Sequence, residues 1–98
     1  MIAVKSKFEV LKGMEKEVKD AFRSRPQLVE NAKGFVRLDV LSPMSNPAEI
    51  HLVTYWDSLE DFEYWHKNHL KESHQYMPKG LKIDPKSREL VHYEHVTS

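Results

Sequence analysis

Residues 49–70, EIHLVTYWDSLEDFEYWHKNHL, decide the fold because they change from a strand pattern to a helix pattern within two residues. Residues 49–56 carry β-branched and aromatic side chains on both faces of a predicted strand. Ser58 and Asp61 then form a capping-box pattern, which predicts that a helix begins at Asp57 or Ser58. One broad face of this helix carries its apolar and histidine side chains: Leu59, Phe62, Trp65, His66, His69 and Leu70.

Three further strands and one helix are predicted around this unit. Residues 2–10 alternate apolar and polar side chains with period two, which predicts a strand with Ser6 on its apolar side. An amphipathic helix follows over residues 14–25, and further strands are predicted at about 35–42 and 89–96. The order β-α-β-β-α-β predicts an α+β fold of the ferredoxin-like type, with an antiparallel sheet and both helices on one face.

The second face of this sheet is also rich in apolar side chains. A sheet covered by helices on one side is expected to carry polar residues on the other. The apolar residues that contradict this expectation are Phe35 or Val36, Val53, Tyr55, Val91 and Tyr93. The simplest cover is the same sheet of a second copy, so the sequence predicts a homodimer with a dimeric α/β-barrel assembly.

Length and composition restrict the class of protein. The 98 residues predict a single domain over residues 1–98. Fifteen basic residues balance fifteen acidic ones, which gives no electrostatic reason to expect a nucleic-acid partner. The absence of cysteine excludes disulfides and thiolate metal sites. No apolar run approaches the ~20 residues of a membrane span, and residues 1–10 lack a signal-peptide core, so we expect a cytoplasmic protein without a membrane partner.

Few residues stand out as candidates for chemistry. Six histidines are present, and His66 and His69 are spaced so that they could share one metal ion, although a polar helix surface explains them more simply. Trp65 on an amphipathic helix favours packing. Ser6 lacks the Gly-x-Ser-x-Gly pattern of a nucleophilic serine, and no glycine-rich nucleotide motif is present.

A set of short motifs gives the chain a resemblance to a known family. The motifs run along nearly the whole sequence: Lys12-Gly13, Gly34-Phe35-Val36, Tyr55-Trp56, Phe62-Glu63-Tyr64-Trp65 and Leu70-Lys71-Glu72-Ser73-His74. In order and spacing they resemble the antibiotic biosynthesis monooxygenases, with the closest similarity to the IsdG-like haem-degrading branch. This resemblance implies the same ferredoxin-like fold and a pocket between the sheet and the two helices.

The resemblance also implies roles for individual residues. Haem would bind in the pocket, and electrons from an external donor with dioxygen would oxidise the porphyrin itself. Trp65 would press the macrocycle out of plane, and His74 would be the axial ligand of the haem iron. Ser6 occupies the position of a family asparagine that lies close to the reacting oxygen. The implied catalytic residues are therefore Ser6, Trp65 and His74, and the implied haem-binding residues are His74, His69, Trp65 and Phe22.

Two questions stay open at this point. Nine residues at ~100° each place Trp65 and His74 on opposite faces of a straight helix, so both reach one pocket only if the helix ends or kinks near Asn68. His69, four residues after Trp65, is the candidate ligand in a continuous helix. Two other functions are also compatible with the residues. One is a cofactor-independent monooxygenase of quinols or polycyclic phenols, in which His74, His69 or Tyr64 orients or deprotonates the phenol. The other is a non-catalytic dimeric module that binds a small hydrophobic or aromatic ligand.

Overall fold

The computed structural model describes residues 1–11, 13–24, 29–74 and 80–98, with the backbone alone for residues 70–74. Its elements follow in this order: β1 (Ile2–Glu9), α1 (Glu15–Ser24), β2 (Phe35–Leu41), β3 (Glu49–Trp56), α2 (Leu59–His74) and β4 (Glu89–Glu94). Short 3₁₀ turns lie at Val29–Asn31 and Pro85–Ser87. The predicted β-α-β-β-α-β order and the ferredoxin-like class are therefore confirmed.

The four strands form one antiparallel sheet in the order β2-β3-β1-β4. Directly paired residues of neighbouring strands lie on the same face of a sheet. Ser6 pairs with Leu52 on one side and with Leu90 on the other, and Leu52 in turn pairs with Val40. This row crosses the helix-facing side of the sheet, so the polar Ser6 lies within an apolar surface.

A bulge at Val36 decides which side chain of β2 points to the helices. Phe35 pairs with Trp56 and Arg37 pairs with Tyr55, so β2 has one extra residue at this point. The Phe35 ring packs edge-on against Trp56 at 5.6 Å between centroids, whereas Val36 is 46% exposed. The alternative left open by the sequence is thereby resolved, because Phe35 belongs to the core between sheet and helices.

The buried residues form two separate clusters beneath the helices. Val4, Val29, Trp56 and Phe62 form the first, below α2 and the first 3₁₀ turn. The second cluster lies below α1 and contains Val10, Val18 and Ile50. Ser6 lies on β1 between Val4 of the first cluster and Val10 of the second, and it belongs to neither. Ser6 is only partly buried and its neighbour Leu90 is 46% exposed, whereas Val4 and Val10 are each 2% exposed, so the middle of the sheet is less completely covered than its two ends.

The start of α2 confirms the predicted cap. The Asp61 backbone N–H donates to the Ser58 hydroxyl at 3.2 Å, and this hydroxyl lies 3.0 Å from the Asp61 carboxylate. Gly34, in the turn before β2, lies directly beside Asp61, and its carbonyl accepts a hydrogen bond from the Asp57 N–H at 2.7 Å. These contacts join the first turn of α2 to the sheet and fix the direction in which the helix leaves β3.

The outer face of the sheet combines apolar and charged side chains. Val53, Tyr55 and Val91 are partly buried, and Tyr93 is 44% exposed. Beside them the Lys7 ammonium lies 3.0 Å from the Glu49 carboxylate. This hydrogen bond lowers the pKa of Glu49 and raises the pKa of Lys7. Within the part of the chain that the structure describes, no helix is long and apolar enough to cross a membrane.

Candidate ligand site between the sheet and the helices

Ser6 lies in the floor of the region between the two buried clusters. Its neighbours in the row, Leu52 and Val40, are partly buried, and Leu90 is 46% exposed although it lies on the helix-facing side. Within the residues that the structure describes, the Ser6 hydroxyl makes no hydrogen bond. An apolar floor with one uncommitted hydroxyl can accept a flat apolar ligand and offer it a single polar contact.

Trp65 forms the wall at one end of this region. Its ring packs against Trp56 with centroids 5.9 Å apart, and Trp56 also contacts Phe62 at 5.8 Å. Trp56 is fully buried, whereas Trp65 is only partly buried. Trp65 therefore has a packing role, as its position on an amphipathic helix indicates, and still presents part of its indole outside the core.

The separation along β1 leaves room for a large ligand between Trp65 and Ser6. Trp56, on which Trp65 packs, is paired with Ile2. Ser6 lies four residues further along β1, which corresponds to about 13 Å at ~3.3 Å per residue. The residues predicted to act together thus border one continuous stretch of the sheet without touching one another.

The helix that carries the two candidate ligands is continuous. α2 runs from Leu59 to His74 as one helix and does not end near Asn68, which was one of the two ways in which Trp65 and His74 could reach one pocket. His69 is partly buried on the Trp65 side of this helix, and its ring lies 5.9 Å from that of Tyr64. The side chain of His74 lies outside the described residues. Geometry therefore favours His69 over His74 as the histidine that shares a face with Trp65.

The remaining histidines of this region pack against aromatic rings. His66 and His92 lie on either side of Phe62, with centroid distances of 5.4 and 5.6 Å. Among the residues described, no three side chains of histidine or carboxylate type come together to hold a metal ion. The pair His66 and His69 therefore finds no further ligand in that part of the chain.

Phe22 lines a cleft beneath α1. The structure shows a cleft of about 380 Å³ between α1 and the strands β2 and β3. Its described lining includes Lys19, Phe22 and Arg23 from α1, and Leu38, Val40 and Ile50 from the sheet. Ser6, Trp65 and His69 are absent from this lining. Phe22 also packs against the second buried cluster together with Val40 and Leu52, the row neighbours of Ser6, so its assignment to the haem pocket stays a prediction.

Lys19 and Arg23 are candidate functional residues that the sequence interpretation missed. They are four residues apart on α1, on the side of the helix to which Phe22 also belongs. The only indication of them in the sequence is that two cations lie next to the apolar face of α1. Such a pair is common on solvated helices, so only the position of α1 against β2 identifies it.

Comparison with known proteins extends these observations. The family model for antibiotic biosynthesis monooxygenase matches residues 1–76. A haem oxygenase (mycobilin-producing) of Mycobacterium tuberculosis is 35% identical over 57 residues. That alignment covers 58% of this chain and 54% of the relative, so the sequence match spans about half of the length of the curated relative.

Two solved structures illustrate the range of the fold. The heme-degrader MhuD from Mycobacterium tuberculosis, solved with two hemes bound in its active site, matches with a TM-score of 0.76 and 26% identity. The match covers 100% of this chain and 98% of that one. SnoaB from Streptomyces nogalater, a cofactor-independent oxygenase, matches with a TM-score of 0.75 over 99% and 94% of the two chains. Its 14% identity shows a common fold only.

Proposed function

Because the chain belongs to the antibiotic biosynthesis monooxygenase family, we propose that it is a monooxygenase that binds haem as its substrate and cleaves the porphyrin with dioxygen. The observation that carries the proposal is the region between the two buried clusters, which has Ser6 in its floor and the partly exposed Trp65 in its wall. Similarity to a heme-degrader along the whole chain supports haem as the substrate. The proposal treats residues 1–98 as one domain that acts as a homodimer.

The side chains present in this region suit a haem group. A porphyrin is a large flat apolar body, and the floor offers the partly covered apolar side chains of Leu52 and Leu90. Imidazole is an established ligand of haem iron, and α2 presents His69 on the Trp65 side. The unpaired Ser6 hydroxyl is a polar group without a partner in the described core. An apolar ligand with one polar reacting centre therefore complements the region.

Each residue then has a defined task. His69 on the continuous helix would bind the iron, with His74 as the alternative from the family resemblance. Trp65, whose ring packs against the buried Trp56 with centroids 5.9 Å apart, would press on bound haem from a supported position. Ser6 would donate a hydrogen bond toward the reacting oxygen. Bound haem supplies the activation of dioxygen, and an external donor supplies the electrons.

The Ser6 hydroxyl determines how fast we expect haem cleavage to be. It is shorter than the family's asparagine amide and sits close to the strand backbone, so its hydrogen bond to the reacting oxygen is longer and weaker. We therefore expect haem binding to be retained and haem cleavage to be slow.

Hemin titration of the purified protein tests the binding part of the proposal. We expect a saturable Soret band at one hemin per chain, and loss or a marked shift of this band in His69→Ala or in His74→Ala, whichever histidine is the ligand. His95→Ala is the matched control, because His95 lies beyond β4 and contacts Tyr55 on the outer face of the sheet. A titration without saturation, or a Soret band unchanged in both variants, would contradict haem ligation by α2. Oxygen uptake with a hydroquinone in such a protein would instead indicate the cofactor-independent reaction.

A further inference from the structure

The cleft between α1 and β2 has an apolar floor that the protein itself leaves uncovered. Leu38 and Val40 point to the helix side of the sheet yet remain only partly buried, and Ile50 closes the bottom. The ring of Phe22 contributes to the wall. A cleft of about 380 Å³ lies within the ~300–1,000 Å³ that small-molecule sites occupy. The shape and lining suit the apolar part of a small ligand.

The rim of the cleft carries one cation, Lys19, for which the described residues provide no ion-pair partner. Arg23 lies 2.9 Å from the Asp20 carboxylate, which also accepts a bond from Lys16 at 2.7 Å. Lys19, which is partly buried in the lining, forms no ion pair within the described ranges. Asp20 is thus shared between Lys16 and Arg23. Lys19 is left to bind an anion at the mouth of the cleft.

The other polar side chain of the lining is already satisfied. The Ser42 hydroxyl donates to the Glu49 carbonyl at 2.8 Å, beside the end of β2. It therefore offers a ligand little beyond its remaining acceptor capacity. The polar end of a ligand in the cleft would therefore bind to Lys19 and Arg23, and these cations favour a negatively charged group.

The cleft adjoins the region proposed for haem at Val40, but Ser6, Trp65 and His69 are absent from its described lining. Its described lining comes from α1, β2, β3 and the residue after β2, with no contribution from β1, β4 or α2. Trp65 packs at Trp56, at the opposite end of β3 from Ile50. The inference below therefore does not depend on the proposed function.

We propose that this cleft is a second ligand site and that it takes a small amphipathic carboxylate. The apolar tail lies on Leu38 and Val40 against Phe22, above the fully buried Ile50, and the carboxylate binds the Lys19 ammonium with Arg23 nearby. An uncharged molecule of the same length gains the apolar contacts alone.

A nuclear magnetic resonance titration of the intact protein with sodium octanoate tests the proposal. We expect saturable shifts of the methyl signals of Leu38 and Val40, while the indole signal of Trp65 stays in place. Lys19→Gln weakens octanoate binding by about three- to tenfold, because it removes one partly exposed charge-assisted hydrogen bond. Binding of 1-octanol is weaker than that of octanoate in the wild type and unchanged in Lys19→Gln.

Lys16→Gln is the matched control for this variant. It removes the same charge from the same helix, but Lys16 is 83% exposed, is paired with Asp20 and lies outside the cleft lining. Octanoate affinity is expected to stay at the wild-type value. The proposal is overturned if octanoate gives no saturable shift at the cleft, if 1-octanol binds as tightly as octanoate, or if Lys16→Gln and Lys19→Gln weaken binding equally.

Discussion

Gly34 holds the first turn of α2 against the sheet, and its replacement by alanine is expected to be costly. The residue has φ +79°, a backbone conformation that side chains other than glycine adopt only with strain. A Cβ placed there would lie 2.7 Å from the Asp61 Cβ and would overlap the Asp61 carboxylate. Rotation of the carboxylate cannot relieve the overlap, because the Asp61 Cβ is attached to the helix backbone.

Two costs combine in Gly34→Ala. The positive φ costs ~1–2 kcal/mol for a residue with a Cβ. Displacement of Asp61 disturbs its bonds to Ser58 and removes a helix cap worth ~1 kcal/mol. The free energy of unfolding is therefore expected to fall by ~2–3 kcal/mol. Because α2 carries Trp65, the same variant is expected to weaken hemin binding.

Gly13→Ala is the control that separates the two costs. Gly13 has φ +68°, but an added Cβ meets no atom within 4 Å. The free energy of unfolding of Gly13→Ala is expected to fall only by the ~1–2 kcal/mol of backbone strain. Urea denaturation of both variants at one protein concentration gives the comparison. Equal losses for Gly34→Ala and Gly13→Ala would refute the claim that Asp61 packs against Gly34.

Three further predictions concern the floor, the outer face and the dimer. Ser6→Asn is expected to raise the rate of haem cleavage with little change in hemin affinity, and an unchanged rate in reductant-driven assays counts against a role for this position. Glu49→Gln is expected to lower stability at neutral pH, because the hydrogen bond from Lys7 lowers the pKa of Glu49 in the folded protein. The stabilisation by Glu49 is present above pH 4.5, its ordinary pKa, and disappears as the pH falls through the lower pKa of the folded state. Denaturation midpoints that differ from wild type as much in acid as at neutral pH contradict this coupling. Val53→Asp on the outer face is expected to turn the proposed dimer into monomers, as measured by sedimentation velocity. Met44→Asp changes a fully exposed loop residue and is expected to leave the proposed dimer intact. A dimeric Val53→Asp protein excludes this face as the interface.

Local patterns in the sequence were sufficient to predict most of the fold. The alternation in β1 and the Ser58–Asp61 cap each act over a few residues, and both are confirmed. The bulge at Val36 was not predictable, because it depends on the pairing of β2 with β3 across a long loop. Periodicity alone left the choice between Phe35 and Val36 open for this reason.

The candidate site was predictable only as a set of residue types. The helical spacing of Trp65 and His69 placed both on one face, and the continuous α2 agrees with that geometry. Phe22 was assigned to the same pocket, and that role stays a prediction; the structure places it in the lining of the cleft beneath α1. Helix docking depends on side chains far apart in the chain, so the cleft beneath α1 has no local signal in the sequence.

Isotope labelling of the product tests the central claim most directly. The hemin-loaded protein is supplied with ascorbate under ¹⁸O₂, with catalase present to remove free peroxide, and the tetrapyrrole is examined by mass spectrometry. A haem-cleaving monooxygenase is expected to give an opened tetrapyrrole that carries oxygen from ¹⁸O₂, in a yield that falls in Trp65→Ala. Recovery of intact haem, or of the same labelled products at the same rate from free hemin, would contradict the proposed function.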